Sequence, residues 1–119
     1  MLYEQQPLYY PSMLTIETSV DAIARIGRAL ADPTRARILI RLHDAPGYPA
    51  AIAEELGLTR QNVSNHLACL RDCGIVVTEP EGRQVRYELA SAALSHAIDD
   101  LLSVALAVDP HEHRDAGRR

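Results

Sequence analysis

At 119 residues, with no hydrophobic run near the ~20 residues a bilayer span needs, the chain has room for one domain and no transmembrane helix. A formal net charge of −4 argues against strong non-specific nucleic-acid binding, although all 12 basic residues are arginine, the better fork for phosphate and guanine. The opening MLYEQQPLYYPS has neither a basic start nor an apolar segment, so no signal peptide and a cytoplasmic location are expected.

Residues 1–18 read as an N-terminal arm, disordered in part, and Met13 followed by LTIE is a second plausible translation start. Ser19 is expected to cap a first helix whose apolar face carries Val20, Ile23, Ile26, Gly27 and Leu30. Asp32-Pro33 is a cap followed by proline at the first helical position, which predicts a second helix from Pro33 to about His43. That helix buries Ile38, Leu39 and Leu42 and sets Arg35, Arg37 and Arg41 outward. DAPGYP is a loop, and Ala50 to Leu56 is a short third helix stopped by Gly57.

The stretch TRQNVSNHLACLRDCG, Thr59 to Gly74, is the centre of the chain. Thr59 is a good N-cap, Val63, Leu67 and Leu70 form an apolar stripe, and Gly74 ends the helix. At about 100° per residue the stripe leaves Gln61, Ser64 and Asn65 on the opposite side, with Arg60 and Arg71 at its edge. Such side chains hydrogen-bond base edges and phosphates. A third stripe holds Asn62, His66, Cys69 and Cys73. Two short helices joined by a tight glycine-containing turn, the second polar on its outer face, make a helix-turn-helix.

Beyond Gly74 the period changes. Ile75 to Thr78 is β-branched, Glu79-Pro80-Glu81-Gly82 is a turn, and Gln84 to Leu89 alternates. This is a hairpin, a wing with Arg83 and Arg86 at or near its tip, placed to reach the DNA backbone or minor groove. Ser91 caps a final helix with Leu94, Ala97, Ile98, Leu101, Leu102, Ala105 and Leu106, and Pro110 ends it. Its apolar face is wider than one small domain needs, so the first and last helices are expected to join two copies. The expected fold is mainly α with a β-hairpin wing (α+β): a winged helix-turn-helix over residues 19–108, followed by a polar tail, 109–119.

Two cysteines four apart on a helix are poorly placed to bridge each other. In a reducing compartment they serve as metal ligands or as small buried hydrophobes, and the residues alone leave both open. No Cys/His/Asp constellation or phosphate-cradling glycine loop points to catalysis, so an enzyme is not expected.

Three segments together, ALADPTRARILIRL, IAEELGLTRQNVSNHLACLRDCGIV and EGRQVRYEL, resemble the SmtB/ArsR winged-helix metal-sensing repressors. The resemblance runs from Ser19 to about Val108, and LACLRDCG is closest to the actinobacterial cadmium/lead-sensing branch. It implies a homodimer that binds operator DNA, represses metal-export genes and leaves DNA when a metal binds. It also implies that Cys69 and Cys73 supply two thiolates and the C-terminal tail a third ligand. The tail here has no cysteine: Arg114 stands about where that ligand is expected, with His111 and His113 close by as substitutes. Such a donor set suits Cd²⁺ or Pb²⁺ before Zn²⁺. The third-helix cysteines of arsenic sensors are absent. The last-helix pattern of zinc and cobalt sensors is not reproduced by His96, Asp99 and Asp100, which read as a solvated face. The expected DNA-contacting set is Thr59, Arg60, Gln61, Ser64, Asn65, His66, Arg71, Arg83 and Arg86. His66 is read as structural or phosphate-contacting. The alternative reading is a winged-helix repressor that responds to thiol oxidation or to no metal.

Overall fold

A computed structural model of the chain describes residues 15–107. Within them the order is α1 (Ile16–Ala31), α2 (Pro33–Asp44), α3 (Pro49–Leu56), α4 (Arg60–Asp72), β1 (Val76–Glu81), β2 (Gln84–Leu89) and α5 (Ala92–Ala107). Pro110, His111, His113 and Arg114 lie outside the described residues.

The first helix begins earlier than the Ser19 cap predicts. Thr15 Oγ1 accepts from the Thr18 N–H at 3.0 Å, and Ser19 is already inside the helix, its N–H bonded to the Thr15 carbonyl. A hydroxyl cap at Thr15 with Glu17 in the first turn outcompetes the later serine. The other caps fall where expected: Asp32 on α2, Thr59 on α4 and Ser91 on α5 each accept an N–H three residues on.

The arginines of α2 do not simply face solvent. Arg35 folds back onto the carbonyls of Ala29 and Arg28, at 3.1 and 2.8 Å, satisfying groups that the end of α1 leaves unpaired. Arg37 donates to the Leu56 carbonyl at 2.7 Å, and Arg41 reaches Glu55 and the Ala45 carbonyl. These side chains staple α1 and α3 to α2.

The wing is longer and its turn tighter than predicted. β1 runs on through Pro80 and Glu81, pairing antiparallel with β2 from Val76↔Leu89 to Glu81↔Gln84, so only Gly82 and Arg83 turn. Gly82 at φ +62° meets the demand of a two-residue hairpin, and Pro80 is tolerated because β1 pairs only with β2 and leaves its outer edge open among the described residues. Gly47, in the loop before α3, adds a short bridge to Tyr87 through bonds of 2.9 and 2.8 Å. A Cβ there would sit 3.1 Å from Arg41 Nη2 and 3.3 Å from Ile52.

The core joins Ile38, Leu39 and Leu42 of α2, Ile52 and Ala53 of α3, Val63, Leu67 and Leu70 of α4, and Ile75 and Val76 at the entry to the wing. By contrast α1 exposes Ile16, Val20 and Ile23, and α5 exposes Leu101, Val104 and Leu106. Leu67, fully buried at the middle of α4, is the test of how that helix is seated. Leu67→Ala is expected to cost about 2–5 kcal/mol, read as a lowered urea midpoint with an unchanged slope.

Candidate nucleic-acid interface and thiol pair

With Val63, Leu67 and Leu70 at 0% exposure, α4 has one orientation, and Arg60, Gln61, Ser64 and Asn65 lie exposed on its far side. Gln61 Nε2 donates to Asn65 Oδ1 at 2.9 Å, which orients both amides along the same face. Thr59 spends an acceptor lone pair of its hydroxyl on the cap. Arg71 is half exposed near the other end of α4, 4.0 Å from Asp72.

Between the start of α3, the first turn of α4 and the wing lies an open cleft of about 270 Å³, lined among others by Tyr48, Arg60, Ser64, Arg83 and Gln84. It brings two arginines from distant parts of the chain to one surface. Among the described residues neither Arg60 nor Arg83 has an ion-pair partner. Arg86, the third residue of β2 and near the tip as expected, has Glu81 at 3.2 Å and Glu88 at 3.7 Å. Tyr48 donates its hydroxyl to Glu81 Oε1 at 2.5 Å. That bond, with partial burial and the carboxylate's charge, holds the phenol above its ordinary pKa. No local sequence pattern signals this contact, which spans 33 positions.

The thiols sit at the far end of α4. Cys69 is exposed, while Cys73, the C-cap, is half-buried and packed against the core. A spacing of four puts both on one flank of the helix. Among the described residues no three His, Cys, Asp or Glu side chains converge as a metal site. The two sulfurs thus stand without a third donor among the described residues, and His111 and His113 lie outside them.

His66, on the same flank, turns toward the α1–α2 junction: Nε2 lies 4.0 Å from Asp32 Oδ2. Asp99 is exposed like His96 and Asp100, and its Oδ1 lies 2.9 Å from His43 Nε2 of α2 without hydrogen-bond geometry.

A buried-backed polar helix, a capped helix before it and a hairpin after it define a winged helix-turn-helix of the kind found in transcription regulators. A helix-turn-helix domain model matches residues 30–79. The HTH-type transcriptional regulator CmtR of Mycobacterium tuberculosis is 61% identical over 97 residues, 82% of each chain. The chain belongs to the SmtB/ArsR family of winged-helix metal-sensing repressors. Among solved structures, the cadmium metal-sensor CmtR of M. tuberculosis is 63% identical, covering 72% of this chain and 90% of that one, with a TM-score of 0.61. A homodimeric winged helix-turn-helix DNA-binding domain from Mycobacterium bovis is 29% identical, covering 75% and 82%, with a TM-score of 0.71.

Asp32, the cap that also faces His66, supplies a pH test. The Arg35 N–H bonded to its carboxylate, aided by the charges of Arg35 and His66 against a smaller opposing effect of burial, holds its pKa below the ordinary value. A depressed folded-state pKa contributes stability above the ordinary carboxylate range, and that contribution is lost as pH falls through it toward Asp32's own value. Asp32→Asn, still a good cap, is expected to flatten that part of the acid limb in a plot of urea midpoint against pH.

Proposed function

We propose that the protein binds operator DNA as a homodimer and is released when a thiophilic divalent ion, Cd²⁺ or Pb²⁺ before Zn²⁺, is held by Cys69 and Cys73. The observation that carries this reading is the pair of thiols on one flank of the same helix whose outer face presents Gln61, Ser64 and Asn65. Names of the relatives support it, since one is a cadmium sensor and another a homodimeric DNA-binding domain.

The exposed apolar residues of α1 and α5 are the surface on which two copies meet, which places two α4 helices at major grooves about one helical turn apart. Arg60 and Arg83 take phosphates beside each helix, with Arg71 and Thr59 at its ends. His66 acts through Asp32 at the α1–α2 junction.

Cys73 links the thiol pair to the core that seats α4. When bound, the ion supplies a soft Lewis acid that joins two sulfurs to further donors. His111 and His113 are the nearest such donors in sequence, from the same chain or its partner. Drawing Cys69 and Cys73 toward those donors strains the seat of α4 and the spacing between the two reading helices. A metal that weakens DNA binding tenfold carries about 1.4 kcal/mol of coupling, and DNA weakens metal binding by the same factor.

The test uses a duplex selected from a random pool by its binding to the metal-free protein. Cys69→Ser and Cys73→Ser are expected to keep wild-type affinity for it and to lose release by Cd²⁺ in a gel-shift assay. The same variants should lose the ultraviolet thiolate-to-metal bands of the reduced protein, and His111→Ala with His113→Ala should weaken metal binding while keeping those bands. Wild-type insensitivity to Cd²⁺, Pb²⁺ and Zn²⁺ alike rejects the sensor. Release by a thiol oxidant in the absence of metal would put the oxidation-responsive repressor in its place.

A further inference from the structure

The wing carries more acid than base on the face that Arg86 occupies. Alternation along the paired strands puts Glu79, Glu81, Arg86 and Glu88 on one side, with Glu79 directly across from Arg86. Two of these acids flank the guanidinium: Glu81 Oε2 lies 3.2 Å from Nη1, and Glu88 Oε1 lies 3.7 Å from Nε, which makes no hydrogen bond among the described residues. Glu81 is itself anchored, because its other oxygen accepts from the Tyr48 hydroxyl. Tyr48 stands beside the Gly47–Tyr87 bridge at the start of α3, so the carboxylate is aimed at Arg86 by a fixed neighbour. Arg83, at the turn two residues beyond Glu81, is left without such a partner among the described residues.

We propose that Glu81 is a positioning residue that sets how many DNA phosphates the wing engages, by holding Arg86 back from the backbone and leaving the contact to Arg83. The proposal rests on the reading that the wing lies against DNA. A phosphate and the Glu81 carboxylate compete for the same guanidinium, to which Glu81 turns one oxygen and a phosphate can turn two. The side chains of Arg86 and Glu81 are 35% and 37% exposed, so the pair is a surface clamp and its removal leaves the core untouched. Freeing Arg86 adds one neutralised phosphate per protomer, two per dimer. The slope of log K against log salt then steepens by about 1.8, a further loss of roughly tenfold between 50 and 200 mM salt.

The experiment is fluorescence anisotropy of the full chain on the pool-selected duplex, of about 30 base pairs so that both half-sites fit, across a salt series. Glu81→Gln keeps an acceptor for Tyr48 and removes the charge. It is expected to bind severalfold tighter at low salt with the steeper slope. Arg86→Gln alone should bind like wild type, and the double variant should lose the gain. The proposal is overturned if Arg86→Gln alone lowers affinity and slope, because Arg86 would already be on DNA. It is equally overturned if the gain survives in the double variant, which would make it general charge repulsion. Arg83→Gln separates the two levels. If it weakens binding while Glu81→Gln does nothing, only the role of Glu81 falls. If neither variant has any effect, the wing is not at the DNA, and the reading beneath the proposal falls with it.

Discussion

The structure depends on the burial of one stripe of α4. Val63, Leu67 and Leu70 are each at 0% exposure, enclosed by α2, α3 and the entry to the wing. A helix held along a single stripe cannot roll, because any rotation would expose apolar surface that burial now hides, at about 25 cal/mol per Å². The same constraint decides what faces outward: the polar side chains between the buried positions have nowhere else to go. The outward polar face and the flank that holds the thiols are thus two consequences of one packing decision.

Charge is used twice in this fold, and the two uses compete. Arg35, Arg37 and Arg41 close helix ends and cross-link α1, α2 and α3, so they are withdrawn from any role at the DNA surface. From Thr59 to Leu89, Arg60, Arg71, Arg83 and Arg86 are matched by Asp72, Glu79, Glu81 and Glu88. Of those four arginines, Arg71 and Arg86 have acids within reach. The surplus available for phosphate is concentrated at the cleft where Arg60 and Arg83 meet.

What could be read from the sequence is what depends on neighbours in the chain. The apolar rhythm of α4, the caps Asp32, Thr59 and Ser91, and the stops at Gly57 and Gly74 all act within about four residues, and all took their expected places. What escaped depends on partners far off. Arg37 meets a carbonyl 19 positions away, and Tyr48 meets Glu81 across 33. Pro80 reads locally as a turn residue, yet it sits in β1 because its missing N–H faces an open edge. The flank of Cys69 and Cys73 was legible from spacing, whereas their unequal exposure follows from where the wing and core close over the end of α4. The further donors proposed beside the thiols fall in residues 108–119, outside the described residues.

A binder with so narrow a charge surplus is easy to switch. Protein–DNA affinity grows with every phosphate neutralised, so a surface supplying few free arginines sits where one contact more or less changes occupancy severalfold. A sensor does not need a large rearrangement under those conditions. A shift that costs each half of a dimer a single contact multiplies across two half-sites, and a coupling of about 1–3 kcal/mol already spans the usual range of allosteric control. Cys73 is well placed to transmit a change of that size, since it is the one member of the thiol pair that touches the core holding α4. Cys69, one turn earlier, is the exposed member of the pair. The pair therefore joins solvent to the seat of the reading helix over about one helical turn, 5.4 Å, and a tightly packed core passes even a small displacement on to the whole helix.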